Sequence, residues 1–218
     1  MSTDTPPKKP ARRGRPVQIA PEDRTRLVLE ATMALLEQVP LHNVTMAQVA
    51  RASGMSKRTL YEMFADRDAL LSATIARIIS QIYPPLPPEA RDLPLADRLA
   101  LLLGGSPQRQ FTAHSRELLR AIIAGAREFP ALARRTNTEG FHNLTRLVAE
   151  QLDAARTAGD IALPPDQITA AAELLVAMSG ENVMLYLLDP DLPLPTPAAF
   201  TARQAMAIRL FLDGVRPR

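Results

Sequence analysis

The sequence predicts an all-α fold, because several features point to helices and none points to a sheet. Apolar residues recur along most of the chain at the three- and four-residue spacing of a helix face. No segment alternates apolar and polar residues for long enough to suggest a strand. Prolines and glycines collect between the periodic segments, where they end helices and begin loops. We therefore expect helices joined by short connections.

The first helix is predicted to begin at Pro21, because the fixed φ of proline suits the first turn of a helix. Glu22 and Asp23 follow in that turn, where negative side chains oppose the positive end of the helix dipole. Four apolar residues at helical spacing are expected on its inner face: Leu27, Ala31, Ala34 and Leu35. The pattern ends before Pro40.

Residues 44–71 have the order of two short helices joined by a tight turn. Thr45 and Gln48 are spaced as a capping box at the start of the first helix. Gly54 is suited to the positive φ that ends this helix and turns the chain. Ser56 is placed to cap the next helix. This pattern predicts a helix-turn-helix, which presents its second helix to a DNA groove.

The second of these helices is predicted to be amphipathic. Leu60 and Phe64 are spaced to face the interior. Four polar or basic residues are then left toward solvent: Lys57, Arg58, Thr59 and Tyr61. We expect Arg58 to contact a base, because a guanidinium donates two hydrogen bonds to a guanine edge. Lys57 suits a phosphate or a base equally.

A fourth helix and a linker complete the N-terminal half. Asp66 is the predicted cap of a helix that runs from Asp68 to Ile82. The run YPPLPPEARDLP, residues 83–94, cannot continue a helix, because proline lacks the amide donor and clashes with the preceding turn. Beyond the linker we expect helices near 95–103, 108–126, 130–157, 166–188 and 197–213.

The run TMAQVARASGMSKRTLYEMFADRDALL resembles the tetracycline-repressor (TetR) family of bacterial transcriptional regulators. Tyr61 and Phe64 stand three apart, followed by Arg67 and then by Leu70 and Leu71. The likeness in residue order is strong over residues 20–80. Beyond them, only the order of helices and loops is similar to the family. It implies a three-helix DNA-binding domain followed by a larger helical domain that binds a ligand and forms dimers.

The residue pattern and the resemblance together divide the chain into five segments. They are a disordered basic arm (1–19), the helix-turn-helix domain (20–66), a connecting helix (67–83), a Pro-rich linker (84–94) and the helical effector-binding and dimerisation domain (95–218). It also implies that Tyr61 packs against the DNA backbone and that Arg67 is the basic residue after the recognition helix. Alternatively, Tyr61 is a core aromatic, and Arg67 pairs on the surface with Asp66 or Asp68. Thr45 is placed to bond a phosphate.

Charge is concentrated in the N-terminal part of the chain. Residues 1–80 carry 12 Lys and Arg against 8 Asp and Glu, whereas residues 81–218 carry 14 against 15. Within the arm, Arg13-Gly14-Arg15-Pro16 resembles the core of an AT-hook, in which arginines enter a narrow minor groove. The alternative is a generic electrostatic tail. Either arrangement would strengthen DNA binding in a salt-dependent manner.

Two C-terminal segments, near 166–188 and 197–213, are apolar around much of their circumference. We expect them to form a homodimer by packing on the same two helices of a second copy, as the family does. The alternative is that both are internal helices of a monomer. No apolar run is long and uninterrupted enough for a membrane span, so no membrane partner is expected. The expected location is the bacterial cytoplasm, associated with the nucleoid when bound to DNA.

A small-molecule pocket is implied by the resemblance. Its apolar composition suits a hydrophobic or aromatic effector held by a few polar contacts. The candidate lining residues are His114, His142, Asn143, Met178, Glu181 and Asn182. No catalytic constellation appears, and the chain has no cysteine and no histidine pair at metal-ligand spacing, so neither an enzyme nor a cofactor or metal is expected.

The leading hypothesis is therefore a transcriptional regulator, most simply a repressor, released from a palindromic DNA operator by its effector. The rival hypothesis is an architectural DNA-binding protein without an effector. A cavity in the C-terminal half, or thermal stabilisation by apolar compounds, would favour the regulator.

Overall fold

The computed structural model describes residues 20–104 and 112–217, and every regular element in these ranges is helical. The α-helices are α1 (Pro21–Leu36), α2 (Met46–Ser53), α3 (Lys57–Met63), α4 (Arg67–Ile82), α5 (Leu95–Gly104), α6 (Ala113–Ala124), α7 (Pro130–Asn137), α8 (Asn143–Ala158), α9 (Ile168–Ser179), α10 (Val183–Leu188) and α11 (Pro197–Gly214). A π-helical turn, Thr138–His142, joins α7 to α8, and short 3-10 turns lie at Leu41–Asn43, Pro88–Ala90 and Pro165–Gln167. The predicted all-α fold class is confirmed.

The predicted helix caps are present around the turn between α2 and α3. The Thr45 hydroxyl accepts the Gln48 amide at 3.3 Å, and Gln48 Oε1 accepts the Thr45 amide at 2.8 Å. Gly54 ends α2 with a φ of 69°. Ser56 Oγ accepts the Thr59 amide at 3.0 Å and so caps α3. These bonds satisfy orphan amides at the helix starts and fix how α3 leaves α2.

The buried face of α1 differs from the predicted one. Val28, Thr32 and Leu36 are buried, whereas Ala34 is exposed. The predicted stripe is displaced by about one position from the buried one, in which the polar Thr32 takes an interior place. This threonine is buried without penalty, since its hydroxyl donates to the Val28 carbonyl at 2.8 Å.

Two hydrophobic clusters organise the molecule. The N-terminal cluster contains buried residues from all four helices α1, α2, α3 and α4, among them Leu60 and Leu71. It also includes Ile122 of α6 and Leu132 of α7. The C-terminal cluster joins α5, α8, α9 and α11 around residues such as Leu175. Thus α6 and α7 lie beyond the Pro-rich linker in sequence but pack against the N-terminal half. This packing places C-terminal residues directly beside the helix-turn-helix.

The helix predicted over 166–188 is broken, which corrects the sequence interpretation. α9 ends at Ser179, Gly180 takes an extended conformation (φ −76°, ψ 160°), and α10 begins only at Val183. Contacts from α6 hold the second piece: Arg120 donates to the Leu187 carbonyl at 2.7 Å, and Arg116 donates to the Pro190 carbonyl at 2.7 Å. Gly180 weakens the helix at this point because glycine has low helix propensity, and the contacts from α6 stabilise the separate position of α10.

The other C-terminal predictions had mixed outcomes. The helices expected near 95–103 and 197–213 are confirmed as α5 and α11, and the one expected over 130–157 is present with a π turn inside it. The helix predicted over 108–126 appears as α6 within the described range, and its first part lies outside the described residues.

The positive φ of Gly54 leads to a stability prediction. We expect Gly54→Ala to lower the free energy of unfolding by about 1 to 2 kcal/mol, because an L side chain disfavours the left-handed region. The cost is conformational, since an added Cβ would meet nothing within 4 Å. Gly214→Ala is the matched control, because Gly214 also has open space around it but lacks a positive φ. Equal urea midpoints for the two variants would contradict the prediction.

Candidate nucleic-acid interface

The first turn of α3 presents two cations to solvent. Lys57 and Arg58 are both exposed. The Arg58 side chain is 89 % exposed, and its Nε donates to Glu62 Oε1 at 3.0 Å. An exposed pair of this kind contributes little to stability. The guanidinium is therefore able to exchange Glu62 for another acceptor.

Leu60 and Tyr61 lie on different faces of α3. Leu60 is fully buried in the N-terminal cluster, whereas Tyr61 is 56 % exposed. The alternative that Tyr61 is a core aromatic is therefore wrong. Phe64 is half-buried and packs on the same cluster as Leu60. The exposed face of α3 thus combines two cations with a mostly exposed tyrosine.

Two hydroxyl residues of the predicted interface also build the helix starts. Thr45 is exposed at the N-terminus of α2, and its hydroxyl also donates to Gln48 Oε1 at 2.8 Å. Thr59 was expected to face solvent but is half-buried, and its hydroxyl lies 2.9 Å from that of the exposed Ser56. Phosphate binding by these hydroxyls would have to replace or extend such bonds.

Arg67 lies differently from the expectation of a solvent-facing phosphate ligand or a mere surface pair. Its Nε donates to the Val44 carbonyl at 2.7 Å and one terminal nitrogen donates to the Leu41 carbonyl at 2.7 Å. The other terminal nitrogen lies 3.5 Å from Asp68 Oδ1, and the side chain is only 27 % exposed. The guanidinium also lies 5.6 Å from the centre of the Phe129 ring. Sequence reasoning anticipated only the Asp68 pair and missed the two carbonyls and the ring, because Leu41, Val44 and Phe129 lie more than 20 residues from Arg67 in the chain.

The remaining predicted DNA contacts, Arg13 and Arg15, lie outside the described residues. Together, the described part of the interface contains an exposed basic helix, a tight glycine turn and two capped helix starts. These features define a helix-turn-helix DNA-binding surface.

The six predicted effector contacts are spread over separate elements. Four of them are exposed in the described part of the chain, so none of the four is enclosed: His114, His142, Met178 and Asn182. Asn143 is half-buried and accepts from Arg146 at 2.9 Å. Glu181 is half-buried beside Tyr186, and partial burial together with this carboxylate raises the pKa of the Tyr186 phenol. The six residues thus lie on separate elements of the chain, and their role as effector contacts stays a prediction.

A cavity of about 250 Å³ lies instead at the junction between the helix-turn-helix and the α6–α7 turn. Its wall is mostly apolar and includes Leu41, Leu71, Phe129 and Leu132, with Arg67 among its polar members. This cavity was not predictable from the residue order, because its lining comes from three distant segments.

The helices α9 and α11 bury one face and expose another. Leu175 and Ile208 lie in the C-terminal cluster. Four large apolar side chains on the same two helices remain exposed: Leu174, Met178, Met206 and Leu210. α9 and α11 also contact each other.

Of the helices in the described ranges, none has the length and apolar character needed to cross a bilayer.

Comparisons with known proteins agree with this geometry. Residues 28–74 match the family described as "Bacterial regulatory proteins, tetR family", and residues 108–214 match "AefR-like transcriptional repressor, C-terminal domain". The HTH-type transcriptional regulator BetI of Escherichia coli is 29 % identical over 131 residues, which is 58 % of this chain and 67 % of BetI.

Solved structures give the same result for the fold. The chain resembles a TetR transcriptional regulator from Agrobacterium tumefaciens with a TM-score of 0.68 and 25 % identity, over 92 % of this chain and 97 % of that one. It resembles the Flavonoid-responsive Regulator FrrA with a TM-score of 0.65 and 23 % identity, over 90 % and 99 %. The fold and interface define a DNA-binding transcriptional regulator. The chain belongs to the TetR family.

Proposed function

We propose that this protein is a dimeric transcriptional repressor that binds a palindromic operator and is released by a small hydrophobic or aromatic effector. The observation that carries the proposal is the exposed face of α3, where Lys57, Arg58 and Tyr61 project from a helix anchored by the buried Leu60. Membership of a regulator family supports this reading, and it implies that the protein works in the cytoplasm, where the bacterial chromosome lies.

Each residue of the interface has a proposed role. Arg58 reads a guanine edge, and Lys57 and Tyr61 contact the phosphate backbone beside it. Thr45 and Ser56 direct two capped helix starts toward phosphates, with Thr59 supporting the second cap. Arg13 and Arg15 would add minor-groove or electrostatic contacts from the N-terminal arm.

The proposed dimer forms through α9 and α11. Leu174 is 63 % exposed and Leu210 is 55 % exposed on helices that pack against each other. Two such pairs related by a two-fold axis would bury these side chains in a four-helix interface. A two-fold dimer presents two recognition helices, which is the arrangement that reads two half-sites of a palindrome.

Effector release requires that a ligand prefer a subunit geometry that misplaces the two recognition helices. The match of residues 108–214 to a repressor C-terminal domain supports the repressor role, and the largely aliphatic composition of the C-terminal cluster supports an apolar ligand. Because the similar fold FrrA is named for its response to flavonoids, flavonoids are sensible first probes among aromatic compounds.

The proposal is tested by DNA selection followed by ligand screening. The purified protein is expected to select a palindromic duplex from a random library and to bind it as a dimer in sedimentation. Flavonoids and simpler aromatic compounds are then screened for raising the melting temperature and releasing this duplex. Sequence-blind binding with no response to any compound would instead favour an architectural DNA-binding protein.

Arg58→Ala tests base reading directly. We expect a loss of about 1 to 3 kcal/mol in binding and a relaxed preference at one base position per half-site. Fluorescence anisotropy with cognate and single-base variant duplexes measures both. Arg146→Ala is the matched control, because Arg146 forms a similar exposed pair with Glu150 on α8. Equal losses on cognate and random DNA would reassign Arg58 to the backbone.

A further inference from the structure

Arg67 is held at the base of the helix-turn-helix by contacts that point inward. Two of its three guanidinium nitrogens donate to the carbonyls of Leu41 and Val44, each at 2.7 Å. The third lies near the Asp68 carboxylate at 3.5 Å, which already balances the charge. A phosphate contact would require the guanidinium to leave two short bonds to main-chain acceptors.

The segment that Arg67 holds leads directly into the DNA-binding elements. Leu41 and Val44 are buried, and Thr45 follows as the cap of α2. Arg67 itself is the first residue of α4. Its two bonds therefore set where α2 begins relative to α4. Because the tight turn at Gly54 connects α2 directly to α3, the position of α2 also determines the position of α3.

The other side of the guanidinium faces the C-terminal half of the chain. Phe129, at the turn between α6 and α7, has its ring centre 5.6 Å from the Arg67 guanidinium carbon. The Phe129 amide donates to the Gly125 carbonyl at 2.7 Å. A Cβ on Gly125 would come within 3.2 Å of both the Phe129 ring and the Ala121 carbonyl, so glycine allows this close packing.

The cavity of about 250 Å³ borders both Arg67 and Phe129. It leaves free space beside the ring, so the ring is not enclosed on every side by packed atoms. The contact between the α6–α7 turn and the guanidinium therefore has room to change.

We propose that Arg67 is a positioning residue for the DNA-binding helices and that Phe129 keeps its guanidinium in place. The expected effect on DNA affinity rests on the proposed function, whereas the positioning of residues 41–44 does not. Arg67 acts by fixing the main chain of residues 41–44, and it makes no phosphate contact. Phe129 acts through Arg67, although it belongs to the C-terminal half.

Arg67→Lys and Arg67→Ala separate positioning from phosphate binding. Lysine keeps the charge but cannot span both carbonyls, so both variants are expected to lose affinity for the selected duplex by about tenfold, as for a lost hydrogen bond. The slope of log affinity against log salt should stay unchanged, and discrimination against random duplexes should fall. If Arg67 binds phosphate, Arg67→Lys retains affinity and Arg67→Ala lowers the slope by about one per subunit, which would overturn the proposal.

A second experiment needs no DNA. Amide hydrogen exchange in residues 41–53 is expected to rise about tenfold in Phe129→Leu and in Arg67→Lys, because local opening becomes easier. Phe141→Leu is the matched control, since Phe141 is an exposed phenylalanine on the π turn. Unchanged exchange in residues 41–53 of the Phe129 variant would overturn the proposed role of Phe129 even if operator binding proves correct.

Discussion

Replacing Leu174 or Leu210 with aspartate is expected to turn a dimeric protein into monomers and to lower operator affinity at least about 100-fold. Both side chains are large, apolar and mostly exposed on helices that contact each other. An aspartate buried without a partner in the interface costs about 3 to 5 kcal/mol, which is sufficient to dissociate a moderately tight dimer. A monomer presents one recognition helix and loses the second half-site.

Sedimentation velocity and fluorescence anisotropy measure the two parts of this prediction. Ile123→Asp is the matched control, because Ile123 is a similarly exposed aliphatic residue on α6, outside α9 and α11. This variant should remain dimeric and bind the operator normally. Dimers that persist in both the Leu174 and the Leu210 variants would place the subunit interface elsewhere.

Truncating Leu60 is expected to lower the stability of the protein strongly. Leu60 is fully buried at the centre of the N-terminal cluster. Leu60→Ala removes apolar contacts and leaves a cavity, which costs about 2 to 5 kcal/mol. Because the total stability of a domain is only about 5 to 15 kcal/mol, the N-terminal cluster should unfold at a markedly lower temperature.

The opposite result is expected for the neighbouring residue, because Tyr61→Ala should affect DNA binding more than stability. Tyr61→Ala removes a larger but mostly exposed side chain, so the melting temperature should change little while operator affinity falls. Circular dichroism melting and anisotropy on the same samples compare the two variants. A Tyr61→Ala protein that is as unstable as Leu60→Ala would show that the aromatic ring supports the fold instead of DNA binding.

The local structure of the helix-turn-helix was predictable because its signals act over a few residues. Thr45 bonds to Gln48, Ser56 to Thr59 and Asp66 to Ala69, each three positions along the chain. Residue type and spacing are sufficient for such caps, since the partners are brought together by a single helical turn. The outward orientation of Lys57 and Arg58 follows from the same helical periodicity.

Predictions for the C-terminal half are less accurate, because similar apolar residues there lie either in the buried cluster or on exposed helix faces, and residue type does not distinguish the two. Met178 was grouped with effector contacts, yet it lies on the exposed face of α9. The break at Gly180 also escaped prediction, since apolar periodicity continues across it while Arg116 and Arg120 hold α10 from another helix.

From its residue order alone, this chain is specified as a helical protein with a capped, basic helix-turn-helix, because those features depend on neighbours within one or two turns. Tertiary structure alone decided that Arg67 bonds to Leu41 and Val44 and lies beside Phe129. A guanidinium five bonds from its backbone can face phosphate or carbonyl equally well. Which acceptor it meets depends on the packing of residues 41–44 against the start of α4, and the ring contact depends on the packing of the α6–α7 turn beside them.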